Sequence, residues 1–171
     1  MTFEVRRLRA SDLTKAFRCG HHGLDNFLRR HALTNQSRGL SATWVCVVGL
    51  EVAGFVTVAA TSVKPTEIEP HALDLPPYPA PALLLARMGT ALKYQKQGVG
   101  DLLLRAVYET ACVQAKHVGC VGVLVDAKPG AVNFYARKHF SVVQEPADAE
   151  SATVMFRPMV DVRAELTPSS E

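Results

Sequence analysis

Cysteine is sparse and unclustered. Cys19, Cys46, Cys112 and Cys120 form no C-x-x-C pair, so the ligand spacing of a zinc site is missing. They read as buried free thiols. His21, His22 and His31 are the other conceivable ligands, but a solvated loop and a helix surface account for them, so no metal is expected. No apolar run approaches the ~20 residues that cross a bilayer. No signal-peptide pattern opens the chain, because Arg6, Arg7 and Arg9 interrupt any apolar segment. The expectation is a cytoplasmic protein with no membrane partner. Internal repeats and low-complexity tracts are missing. So are Gly-x-x-x-x-Gly-Lys-Ser/Thr and an early Gly-x-Gly-x-x-Gly, which excludes a nucleoside-triphosphate loop and makes a dinucleotide fold a poor reading.

What is present is an ordinary globular composition. The 171 residues are 48 % hydrophobic, enough for one domain with a core. We expect a single domain over residues 1–166 and a flexible tail at 167–171. Net charge is only +3, but its distribution is uneven. Up to residue 40, Arg6, Arg7, Arg9, Lys15, Arg18, Arg29, Arg30 and Arg38 face only Glu4, Asp12 and Asp25. That segment carries +5 and the remainder −2. A basic lobe suits an anionic partner, and equally a solvated helix surface.

Periodicity orders the elements. Phe3–Leu8 alternates as a first strand. A helix follows from Leu24, with Leu24, Phe27, Leu28 and Leu33 on its apolar side, and stops by Gly39. Thr43–Val48 and Phe55–Val63 form a hairpin around residues 49–54. Residues 64–82 hold six of the ten prolines and read as a structured loop or lid. Leu83–Met88 is a buried strand, Gly98–His117 a long helix, Cys120–Asp126 another buried strand and Gly130–Lys138 a short helix. Ser141–Gln144 and Thr153–Arg157 close the sheet, and the tail frays from Thr167. Strands interleaved with helices give an α/β (α+β mixed) fold, a mixed sheet with helices on its faces.

Between an apolar strand and the long helix lies Gln95-Lys96-Gln97-Gly98-Val99-Gly100-Asp101. A glycine-bearing turn opening a helix leaves backbone N–H groups without intrahelical partners, at the positive end of the helix dipole. That suits a phosphate, although such a turn also serves as a mere tight connection. Downstream comes Val132-Asn133-Phe134-Tyr135-Ala136-Arg137-Lys138-His139-Phe140.

These two segments together resemble the acetyl-CoA site of the GNAT (Gcn5-related) N-acetyltransferase superfamily. Its pyrophosphate loop reads Gln/Arg-x-x-Gly-x-Gly/Ala, and its later helix carries Phe-Tyr and ends in Gly-Phe; His139 stands in place of that glycine. The resemblance implies a central mixed, mostly antiparallel sheet flanked by helices. Two central strands, here Leu83–Thr90 and Cys120–Asp126, splay around acetyl-CoA. It assigns cofactor binding to Met88, Gly89 and Thr90 through backbone and to the loop Gln95, Lys96, Gln97, Gly98, Val99, Gly100 and Asp101; Asn133 is a candidate contact to pantetheine, and equally a capping or solvent-facing residue. A backbone contact to the acetyl carbonyl is worth about 3 kcal/mol. Tyr135 becomes the general acid on the coenzyme A sulfur, against the plainer reading of a packed core tyrosine. Phenol is protonated at neutral pH and donates to a thiolate. Glu67, Glu69 and Asp126 are the carboxylates near the expected cleft, and none stands out as a base. An aminoacyl-ester amine, being inherently less basic, needs none.

A further pattern narrows the branch. Phe17-Arg18-Cys19-Gly20, Leu24-Asp25, Phe27-Leu28-Arg29, Ala32, Asn35-Gln36, Gly39 and Ser41, with Ala82–Arg87 and Val125-Asp126-Ala127, resemble GNAT toxins of bacterial type II toxin–antitoxin modules, which acetylate aminoacyl-tRNA. Two stretches depart from that branch: Lys96 replaces its usual glycine, and Met88-Gly89-Thr90 differs from its usual Leu-Ala-Val-Asp. The resemblance implies an aminoacyl-tRNA substrate, with Arg29, Arg30, Arg38, Arg87 and Lys93 as its contacts, Arg87 having a structural role as its alternative. It also implies a homodimer, a ribbon-helix-helix antitoxin, and operator DNA bound only by the joint complex. Two other functions remain open. A GNAT enzyme acting on a small amine or protein N-terminus would not need Arg29, Arg30 and Arg38. A DNA-binding co-repressor would not need the Tyr135 hydroxyl.

Overall fold

The computed structural model describes residues 1–68 and 74–168. In chain order the elements are β1 (Glu4–Arg7), α1 (His22–Arg30), α2 (Ala32–Ser37), β2 (Ala42–Val48), β3 (Glu51–Val63), β4 (Ala80–Thr90), α3 (Val99–His117), β5 (Gly122–Ala127), α4 (Val132–Arg137), β6 (Ser141–Gln144), β7 (Thr153–Pro158) and α5 (Met159–Leu166). The strands form one sheet in the order β1-β2-β3-β4-β5-β7-β6. The β1–β2, β2–β3, β5–β7 and β6–β7 pairs are antiparallel. The β4–β5 pair is parallel and joins Leu83–Leu85 to Val123–Val125, while β4 itself runs on to Thr90. This is the expected mixed, mostly antiparallel sheet with helices against it. The chain divides into two compact units, Met1–Ala59 with Ala86–Val107, and Ala60–Leu85 with Tyr108–Glu171.

In the first unit, β2 and β3 are rich in β-branched residues that suit a pleated, half-buried surface. Val45, Val56, Phe55 and Cys46 are fully buried. Gly54 of β3 sets how closely the start of α3 packs: a Cβ there would lie 2.7 Å from Val99 Cγ1 and 3.1 Å from Leu103 Cδ1. Leu103, Leu104 and Val107 of α3 are buried, at the spacing of one helix face.

In the second unit, Val63, Ile68, Ala80, Ala82 and Phe156 form a core cluster. Ile68 pins the start of the proline-rich segment into that core, after a short 3-10 turn at Pro65–Glu67. Helix α3 ends where Gly119 takes φ 112° and gives its N–H to Gln114 O at 2.8 Å. Lys116 and His117 in the last turn face the negative end of the dipole.

Several expectations change. The helix from Leu24 is two helices, broken at His31 (φ −123°, ψ −31°). The break shifts the phase, so Ala32 is buried and Leu33 is 39 % exposed. The β2–β3 connection is only Gly49-Leu50, since Val48 already pairs with Glu51. The C-terminal helix α5 was not expected. Thr167 is tied to its end, donating its N–H and Oγ1–H to Arg163 O. Glu69, in the proline-rich segment, and tail residues 169–171 lie outside the described residues.

Candidate functional site

The first unit carries the loop that opens α3. Leu92–Tyr94 form a 3-10 turn, then Gln95 extends (φ −63°, ψ 150°). Lys96 takes φ 61° and Gly98 φ 84°. Left-handed backbone is easy for glycine and strained for lysine, so position 96 is where the branch's usual glycine belongs sterically. Gln95–Gly98 are exposed, and a Cβ on Gly98 would meet nothing within 4 Å. Gly98 O accepts the Leu102 N–H at 3.2 Å, and Val99, buried, anchors the first turn. A 19-residue helix therefore presents its positive end and first-turn N–H groups beside an open loop carrying an exposed Lys96. Those features fit a diphosphate.

The loop is strutted from behind. The Gln95 side-chain amide donates to Cys19 O and Thr90 O, each at 3.3 Å, and Gln97 Nε2 donates to Lys93 O at 3.1 Å. The two glutamines thus position the loop through carbonyls of neighbouring segments. At the end of β4, Gly89 is buried, and a Cβ there would crowd Cys19 Sγ at 3.2 Å and Phe55 at 3.3 Å. Met88 and Thr90 are half-buried, whereas Ala86 and Arg87 of the same strand are exposed.

The N-terminal pattern is a packing device. Cys19 gives its N–H to the buried Asp25 Oδ1 at 2.9 Å, tying the loop to α1. Phe17 meets Phe55 edge-on at 5.5 Å, and Phe27 stacks on Phe55 at 6.3 Å. Burial and the Asp25 carboxylate push the Cys19 thiol up to about 11. Of the five arginine and lysine candidates, Arg87 lies 4.2 Å over the Phe27 ring and Arg29 Nε bonds Asp25 O at 3.1 Å. Lys93 is paired with Glu51 at 3.1 Å, and Tyr94 Oη donates to the same carboxylate at 2.6 Å. Arg30 and Arg38 are exposed.

The second unit carries Tyr135. Its helix ends in a two-bond cap: Phe140 N–H to Tyr135 O at 3.0 Å and His139 N–H to Ala136 O at 3.1 Å, with His139 at φ 66°. This is a Schellman motif with histidine at the left-handed position. The accompanying apolar contact is Phe140 against the Tyr135 ring, 5.5 Å between centroids. The cap therefore fixes Tyr135, which is 5 % exposed. Burial first, and Tyr108 second, push its phenol well above 10. It stays protonated across the physiological range, as a proton donor must. Asn133, two residues earlier, is exposed. Tyr108 Oη accepts a hydrogen bond from the buried Arg157 at 3.0 Å, and Arg157 also pairs with Glu165 at 3.1 Å. Glu67 is spent on capping Lys64 N–H at 2.8 Å, and Asp126 is exposed. Among the described residues no three His, Cys, Asp or Glu side chains gather to hold a metal. No helix there is long and apolar enough to cross a membrane.

The acetyltransferase (GNAT) domain family matches residues 39–142, a span that holds both the α3 loop and Tyr135. The chain belongs to the GNAT acetyltransferase family. A Mycobacterium tuberculosis protein named tRNA-acetylating toxin is 32 % identical over 144 residues, which cover 84 % of this chain and 86 % of that one. A solved bacterial toxin superposes with a TM-score of 0.91 at 24 % identity, covering 99 % of each chain. AtaT complexed with acetyl-methionyl-tRNAfMet superposes at 0.83 with 20 % identity, over 97 % of this chain and all of that one.

Proposed function

We propose that this chain transfers the acetyl group of acetyl-CoA to the α-amino group of an amino acid esterified to tRNA, as the toxin of a toxin–antitoxin pair. The observation that carries the substrate is the 32 % identity, over most of both chains, to a protein named tRNA-acetylating toxin. The basic segment of residues 1–40 supports it, because tracking an acceptor stem requires cations on phosphates.

Acetyl-CoA supplies an activated thioester carbonyl. Backbone N–H groups of Gln97–Asp101, assisted by Lys96, hold its diphosphate. Backbone of Met88, Gly89 and Thr90, with Asn133, aligns the pantetheine arm. Tyr135 donates its phenolic proton to the departing sulfur, and burial, which raises its pKa, favours the protonated form this step needs. The aminoacyl ester ammonium is more acidic than a lysine ammonium, so water suffices as acceptor of its proton. The product amide is no longer a nucleophile, and peptide-bond formation stops.

The remaining features of this reading are one GNAT domain over residues 1–166, a cytoplasmic homodimer, a ribbon-helix-helix antitoxin and operator DNA bound by the joint complex. Likeness in fold to AtaT, which has been solved with the C-terminus of the antitoxin AtaR, supports an antitoxin partner. The test is transfer of labelled acetyl to charged total tRNA, wild type beside Tyr135→Phe. Label on the aminoacyl moiety, lost in the variant, is expected. Label on peptides or polyamines with none on charged tRNA would overturn the reading.

A further inference from the structure

Arg7 is held differently from the paired cations Arg6 and Lys93. Arg6 is neutralised by Asp12 through two contacts of 2.6 and 3.0 Å, and Lys93 by Glu51. Arg7 instead donates from Nε to Gln36 Oε1 at 3.3 Å, and its guanidinium carbon lies 4.9 Å from the Trp44 ring centroid. Gln36 is itself immobilised. Its Oε1 also accepts Thr43 N–H at 3.0 Å, and its Nε2 donates to Leu8 O at 3.0 Å. Arg7 and Trp44 are direct partners in the β1–β2 register, and β1 is the edge of the sheet. Arg7 is exposed and Trp44 half-exposed.

A neutral amide and an aromatic face therefore orient the guanidinium, and no carboxylate among its described contacts cancels its charge. The Nε bond leaves the Nη pair for a planar, bidentate acceptor, the geometry of phosphate oxygens. Arg9 and Arg38, both exposed, follow Arg7 and Gln36 by two residues each, so the surroundings in sequence are also cationic. A polyanion suits this lobe better than an acidic side chain, because residues 1–40 carry +5.

We propose that Arg7, oriented by Gln36 and Trp44, is a phosphate-binding site for the backbone of the RNA substrate. This rests on the tRNA reading above. The 3′-phosphate of coenzyme A is the other source of the same chemistry. Gln36 is a positioning residue: it acts only through Arg7.

The test is steady-state kinetics of the full chain with charged total tRNA and with acetyl-CoA, for wild type, Arg7→Ala and Arg7→Lys, with thermal melts as the folding control. Arg7→Ala is expected to raise KM for charged tRNA about tenfold, with kcat within twofold and KM for acetyl-CoA unchanged. Its log KM against log salt should lose roughly 0.7–0.9 of slope, one phosphate's share. Arg7→Lys should restore the slope but not the whole KM, since it keeps the charge without the fork. Trp44, the single tryptophan, gives an independent readout: uncharged tRNA should change its emission and acetyl-CoA should not. An unchanged tRNA KM in folded Arg7→Ala overturns the proposal. A rise confined to the acetyl-CoA KM also overturns it, assigning Arg7 to the cofactor phosphate. Wild type that labels no charged tRNA at all removes the underlying reading, and this site with it.

Discussion

Two residues stand in left-handed backbone where a side chain is a strain: Lys96 at φ 61° and His139 at φ 66°. Lys96 stands where the toxin branch usually has glycine, just before α3, and His139 stands where the family helix usually ends in glycine, just after α4. Relief of the steric term outweighs the added chain entropy of glycine, so His139→Gly should raise stability by about 0.5–1 kcal/mol. Urea midpoints would register it, and a lower midpoint would show that the histidine side chain contributes something the cap does not explain. Lys96→Gly should be stabilised by a similar ~0.5–1 kcal/mol, yet raise KM for acetyl-CoA severalfold. Opposite movement of stability and affinity is the signature of a strained residue kept for its charge; parallel movement would refute that role. Tyr135→Phe keeps the ring packed against Phe140 and removes only the proton donor. We expect kcat to fall about 10²- to 10⁴-fold, with little change in melting temperature or acetyl-CoA affinity. A kcat near wild type would leave Tyr135 as a core residue alone.

Elements show what local sequence encodes. The strands β2, β4 and β5 and the helix α3 were legible because their apolar spacing is their burial pattern: Leu103, Leu104 and Val107 lie where the 3.6-residue period puts them. The α3 loop was legible because glycine at a helix start has a narrow set of uses. The break at His31 was not, since nothing between Leu24 and Leu33 interrupts a helix. There the bonds of Gln36 to Leu8 and Thr43 orient α2 against β1 and β2, a tertiary requirement. Helix α5 was hidden because only Met159 and Val162 are buried; Pro158 followed by Asp161 in the first turn was the available signal. The Arg7–Gln36–Trp44 cluster depends on a strand register joining distant segments, which periodicity does not disclose. Close packing of β3 on α3 gives a prediction at this scale. Gly54→Ala places a methyl group 2.7 Å from Val99 Cγ1 and 3.1 Å from Gly89 O. It should cost about 1–3 kcal/mol by overpacking and raise the acetyl-CoA KM by displacing the start of α3. Wild-type KM in a destabilised Gly54→Ala would separate core packing from the loop's geometry.

For the molecule as a whole, the thiols predict an alkaline limit. Cys19 and Cys46 are buried and free. Burial, with Asp25 beside Cys19, lifts both from an ordinary value of 9.0 to about 11. The folded state therefore holds two protons that the unfolded state releases first. Stability from these groups is complete below pH 9 and is lost as pH rises from 9 through about 11, because the unfolded chain there binds fewer protons. The phenol of Tyr135, raised by burial, extends the same trend above pH 10. Melting temperature should therefore change little on this account below pH 9 and decline steadily above it. The double variant Cys19→Ala, Cys46→Ala should start lower, from lost packing, but decline less steeply between pH 9 and 11. The comparison of slopes rather than midpoints isolates ionisation from cavity formation. Equal slopes in the two proteins would mean that other groups set the alkaline limit.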